Sequence, residues 1–251
     1  AGVVGVVGAA VYRVLEARAA RVCSLGAAGE ADKLVVSELF KFTRSYWFIA
    51  GLCLVFYSAV FPFRTFAIKF FMEGHGATRE LGGFLNSVLP LSAMVATPLF
   101  GLLVDRVGQR ALFMLAGTAL IVPAFVLLVP GLGLTPSLYV PIALLGIAFS
   151  LIPAVMWPSV TYVVAQNRLG TAYALMTLIQ QVGVLAMNWG SGAANDAAGA
   201  SAANPAGYGP GMWLFSTLGV AGVAFALLLR RAETGPGAHG LETITLKNPK
   251  A

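Results

Sequence analysis

Six long apolar runs follow one another along the chain, approximately at 47–70, 81–104, 111–130, 137–165, 171–193 and 211–229, with the charges gathered in the short gaps between them. Coiled as helix, each run has the roughly 20 residues needed to cross a hydrocarbon core of about 30 Å. In lipid every backbone N–H and C=O must find its partner within the protein, so only helices and closed barrels span a bilayer. No run alternates apolar and polar residues as a barrel strand does. The sequence therefore predicts an all-α, polytopic membrane helical bundle, and spans rather than soluble domains measure its organisation. Composition agrees: 58% of the residues are hydrophobic and 10% charged, against roughly a quarter charged in a soluble domain.

The chain opens "AGVVGVVGAAVY", where Gly2, Gly5 and Gly8 gather small residues suited to close helix packing in lipid. Residues 1–12 read as the end of a further transmembrane helix, 13–46 as a cytosolic loop, 47–230 as the six-helix bundle and 231–251 as a cytosolic tail. Lys and Arg favour the cytoplasmic side of short loops. With 13–46 in the cytosol, thirteen of the sixteen bases fall on that side, leaving Arg64, Lys69 and Arg79 toward the other face. The lipid bilayer and this asymmetry account for the +6 net charge, and no nucleic acid is implied as a partner.

Catalytic chemistry has little to work with. Cys23 falls in the expected loop and Cys53 within a span, so a disulfide between them is not expected; His75 and His239 both fall in loops. No Ser/His/acid or Cys/His set, metal-ligand spacing or phosphate-binding loop can be assembled. The reading is not an enzyme, with no catalytic residue, no metal and no cofactor.

The most informative gap is "GLLVDRVGQR", residues 101–110. Asp105 stands at the C-terminal end of its span, where the helix is already partly negative, so the carboxylate needs compensation. Arg106 and Arg110 supply positive charge, Gly108 permits a tight turn, and Gly101 admits a close neighbouring helix. The cluster reads as a breakable conformational latch; the plainer alternative is loop charge that sets topology. The string Gly101-x-Leu103-x-Asp105-Arg106-x-Gly108-x-Arg110 resembles the signature that the major facilitator superfamily carries between spans two and three and again between spans eight and nine.

That resemblance implies the C-terminal six-helix half of a major facilitator fold, made of two inverted three-helix repeats, with a missing N-terminal six-helix half as partner. It implies a secondary transporter that alternates access by rocking, with a small-molecule or small-peptide substrate and room for an accessory membrane subunit. "AVFPF" (59–63), "FGLLVD" (100–105), "WPSV" (157–160) and "LGTAYALMTLIQQVG" (169–183) are similar to stretches of a lysosomal branch of that family that exports small peptides. They imply a uniporter for dipeptides or similar zwitterions in a lysosomal or other endomembrane. Arg64 departs from the apolar residue expected after "FPF". A carrier for a carboxylate or sugar, and a transport-inactive scaffold or receptor, are the alternatives.

Transport is also argued from the residues. Pro62 and Pro153 are expected to bend or break their helices, with Pro158 a further candidate break, and Pro62 and Pro153 fall at matching places in the first helix of each three-helix set, where interrupted helices point to a carrier's central site. Near them Tyr57, Phe61, Asn86, Trp157, Gln180 and Gln181 are candidate substrate-binding residues, since buried amides need partners and an aromatic face can meet an amine. No Asp, Glu or His falls at mid-depth in the six spans, so this half lacks the acid on which proton coupling depends.

Overall fold

The computed structural model describes residues 8–15, 18, 41–134 and 137–248. The chain divides into two compact units, Ala1–Val36 and Ser37–Ala251. In the first, residues 8–15 are helical. The remainder of the expected helix end, most of the expected 13–46 loop and Cys23 lie outside the described residues.

The second unit holds α1 (Arg44–His75), α2 (Arg79–Val107), α3 (Arg110–Leu127), α4 (Tyr139–Val163), α5 (Leu169–Ala197) and α6 (Gly209–Glu233). All six are long and apolar enough to cross a membrane. The helices overrun the apolar spans at several ends because local chemistry caps them there. The Thr43 hydroxyl accepts the Tyr46 N–H and opens α1; Gly76, at φ 66°, closes it; the Thr78 hydroxyl accepts the Leu81 N–H and opens α2.

Helices of one three-helix set pack chiefly on helices of the other. α1 lies mainly against α5 and α6, α4 lies mainly against α2 and α3, and α3 packs on α6. Exchanging α1, α2, α3 for α4, α5, α6 maps this pattern onto itself, as two equivalent interleaved repeats require. At the centre Phe63 of α1 meets Phe125 of α3 edge-on at 5.3 Å and Phe215 of α6 at 6.4 Å. The α1–α5 crossing is set by Gly183, where an added Cβ would lie 2.1 Å from Leu54 Cδ1 and 2.4 Å from Ser58 Oγ. A side chain at this position would have to displace those of Leu54 and Ser58, so glycine lets them pack directly on the α5 backbone.

One expectation is corrected. α1 runs through Pro62, and α4 through Pro153 and Pro158, without interruption. Proline removes one donor and crowds one carbonyl, a local defect that the rungs on either side and neighbouring helices absorb. α2 contains Pro90 and Pro98 and α3 contains Pro123 with equal continuity, so proline does not single out α1 and α4.

Candidate functional site

The first constellation is a row of rings across α5, α4 and α1. Trp157 of α4 donates its indole N–H to the Tyr57 hydroxyl of α1 at 2.9 Å, and Tyr173 of α5 donates its hydroxyl to the Trp157 carbonyl at 3.1 Å. Tyr57 packs on Phe61 with ring centres 5.2 Å apart, Phe61 meets Phe149 of α4 at 6.2 Å, and the Arg64 guanidinium carbon lies 5.8 Å from the centre of the Phe149 ring. The row therefore reads Tyr173, Trp157, Tyr57, Phe61, Phe149, Arg64. From Trp157 to Phe149 it follows α4 for about 12 Å.

Of the candidate binding residues, Tyr57, Phe61 and Trp157 stand together in this row. Asn86 joins it at the Arg64 end, its amide nitrogen 3.5 Å from the Arg64 carbonyl. The two glutamines separate. Gln180 is buried between α1 and α5, where its carbonyl accepts the Cys53 thiol at 3.7 Å. Gln181 is exposed, as a step of about 100° around a helix dictates. Phe149 and Tyr173, which also stand in the row, were not among the sequence candidates, and Arg64 was given a part only if it reached inward; a single arginine within an otherwise uncharged run was the signal available.

The second constellation gathers around the α2–α3 turn. Arg110 is 2% exposed. One terminal nitrogen donates to Asp105 Oδ1 at 3.0 Å and to the Tyr162 hydroxyl at 2.8 Å; the other donates to the carbonyls of Ile244 at 2.7 Å and Leu241 at 3.5 Å. Its guanidinium also sits 4.3 Å from the Tyr162 ring centre. Asp105 thus pairs with Arg110, while Arg106, expected to share the role, is exposed. Gly108 makes the turn at φ 75°, and a Cβ there would lie 2.8 Å from the Glu242 carbonyl. Gly101 differs from expectation: nothing lies within 4 Å of the Cβ it lacks, so none of these six helices makes the close approach anticipated there.

Residues 234–248 fold back over that turn. Leu241 is fully buried, Glu242 Oε1 accepts the Ala111 N–H at 2.7 Å and so caps α3, and the Leu246 N–H donates to the Asp105 carbonyl at 2.8 Å. Burial pushes the Glu242 carboxyl up from its ordinary value, with the Ala111 N–H and nearby arginines pulling it partly back. Glu233, 3% exposed at the end of α6, accepts the Ser45 hydroxyl of α1, the His239 N–H at 2.8 Å and the His239 ring at 2.9 Å. Sequence reading foresaw a plain tail, because no motif marks this contact.

A family model described as Major Facilitator Superfamily matches residues 1–188 and, in a second overlapping match, 66–243. Among curated proteins, the lysosomal dipeptide transporter MFSD1 of Danio rerio is 32% identical over 193 residues, 76% of this chain and 41% of that protein. The Homo sapiens transporter of that name is 33% identical over 172 residues, 68% and 36%, and that of Gallus gallus 33% identical over 159 residues, 63% and 35%. The chain thus spans between 35% and 41% of the length of these relatives.

Proposed function

The chain belongs to the major facilitator superfamily, and from that premise we propose that it forms the C-terminal half of a rocking, alternating-access uniporter for dipeptides or similar small zwitterions. The observation that carries the reading is the ring row from Tyr173 to Arg64, which sets hydrogen-bonding hydroxyls, an indole and a cation along one flank where α1, α4 and α5 meet. Such a flank offers apolar walls to peptide side chains and π faces to an amine. The names of the relatives support a dipeptide substrate and a lysosomal membrane.

In this reading Tyr57, Phe61 and Trp157 meet substrate, with Asn86 beside them, and Gln180 holds α5 to α1. Gln181, outside the α1–α5 contact, faces lipid or the partner half. Asp105, Gly108 and Arg110 make the latch, with Arg106 exposed beside it and Gly101 left for a helix of the partner half. The partners are the bilayer, an N-terminal six-helix half and, where one is present, an accessory membrane subunit. The acidic residues of the described helices lie toward helix ends, at Glu73, Glu80, Asp105, Asp196 and Glu233, which favours uniport over proton coupling in this half.

Counterflow in vesicles bearing the full-length carrier tests this, with labelled dipeptide, monocarboxylate and sugar side by side. Saturable dipeptide exchange that persists without a proton gradient is expected. Exchange confined to the carboxylate or the sugar would replace the substrate class, and no exchange of any solute by folded carrier would leave a scaffold or receptor.

A further inference from the structure

Arg64 stands in α1 after nineteen uncharged residues, 45–63, and the next base is Lys69. It precedes the end of α1, at His75, by about as many residues as Phe149 follows the start of α4, at Tyr139. The His75 ring contacts the Leu128 carbonyl just beyond α3, so the chain re-enters at that same end through α4. Both residues therefore sit roughly 15 Å from one end of the bundle, and Arg64 lies about 9 Å inside the end of the apolar run 47–70. The guanidinium lies against the Phe149 ring.

Its Nε is buried and has no hydrogen-bond partner, and among the described residues Arg64 forms no ion pair. On the facing helix α2, Asn86 donates to the Arg64 carbonyl, while Asn86 Oδ1 is buried and equally without a partner. A donor on Arg64 and an acceptor on Asn86, two residues in contact, are thus left open at the end of the ring row. A guanidinium inside an apolar span is retained where an anion meets it, and its planar fork fits a carboxylate in two parallel bonds.

We propose that Arg64 is the carboxylate anchor of the transport site, receiving the C-terminal carboxylate of a zwitterionic substrate while Asn86 Oδ1 accepts a substrate N–H. This rests on the reading of the chain as half of a peptide carrier and names the group that orients its substrate. An extended dipeptide is about 7 Å long. Anchored at Arg64, it lies along Phe149 and Phe61 and brings its amine toward the faces of Tyr57 and Trp157.

An acidic side chain of the partner half would offer the same chemistry, so the test separates the two sources. Full-length carrier in proteoliposomes is assayed by counterflow with labelled alanylalanine, alanylalanine amide, lactate and glucose, in wild type, R64Q and R64K. In wild type, amidation is expected to raise the half-saturating concentration at least about tenfold, the loss of one charge-assisted pair. R64Q should bring the free peptide to the level of the amide, with amidation then without effect, and R64K should fall between.

A preference for the free acid that survives in R64Q overturns the anchor and points to an acidic partner for Arg64, leaving peptide transport intact. Exchange of lactate but not peptide, lost in R64Q, overturns the peptide reading and upholds the anchor. Exchange of glucose alone overturns both. If R64Q does not fold, as judged by thermal unfolding, the decision falls to wild type and R64K: equal handling of free and amidated peptide by wild type, or wild-type discrimination in R64K, overturns the proposal.

Discussion

Arg110 and Asp105 form one ion pair with unequal stakes. Arg110 is buried and makes four hydrogen bonds, to Asp105, Tyr162, Leu241 and Ile244, whereas the Asp105 side chain is 48% exposed. Removing one partner of a pair harms most where the remaining group stays buried and uncompensated, and water compensates an exposed one. We expect Arg110→Ala to destabilise the bundle by about 3–5 kcal/mol and Asp105→Asn by about 1 kcal/mol or less, measured by thermal unfolding of the full-length carrier. Equal losses from the two changes would sink this account of the turn. The sequence displayed Asp105 and two candidate arginines at equal standing. Which arginine turns inward depends on the carbonyls of Leu241 and Ile244, more than 130 positions away in the chain, and no local pattern encodes that.

At the scale of elements, the six helices were legible because lipid forces length and apolarity on every span, and the structure keeps all six. Helix continuity through Pro62, Pro153 and Pro158 was not legible, since a proline's cost depends on what surrounds it. The folded tail was equally hidden: Leu241 and Glu242 matter through tertiary contacts alone. Glu242 caps α3 while buried, and burial raises its folded-state value above the ordinary 4.5. The folded state therefore holds the proton more tightly than the unfolded state. Its contribution to tail docking is greatest below about 4.5 and declines as pH rises through the raised value. Hydrogen exchange at Gln109, Arg110, Ala111 and Leu246 should accordingly be better protected at pH 4.5 than at pH 7.5, after correction for intrinsic rates. Glu242→Gln should flatten this difference. An unchanged pH difference in Glu242→Gln would overturn its assignment to Glu242.

Across the whole molecule, cover is uneven among the six helices. α2 presents Leu91, Met94, Val95, Leu99 and Leu102 to its surroundings, and α5 presents Leu178, Val182, Leu185 and Trp189, so the two helices least covered by their neighbours carry broad apolar faces. In the proposed carrier the ring row between them forms one flank of the site, and the opposite flank comes from the N-terminal half. Residues 1–251 expressed alone should insert in a membrane yet support no saturable transport, and co-expression with that half should restore uptake. In the reassembled carrier Trp157→Phe keeps a ring but removes the donor to Tyr57, and Trp157→Ala removes both. Each hydrogen bond or ring contact is worth about 1–2 kcal/mol, so half-saturation should weaken about 5- to 30-fold for the alanine variant and less for phenylalanine, at unchanged surface expression. Gln180→Ala is expected to act differently. Its carbonyl is engaged by Cys53 between α1 and α5, and the loss should appear as reduced thermal stability with half-saturation nearly unchanged. Transport by residues 1–251 alone would refute the half-carrier reading. A weaker half-saturation in Gln180→Ala, with Trp157→Ala unaltered, would move the substrate from the ring row to the α1–α5 crossing.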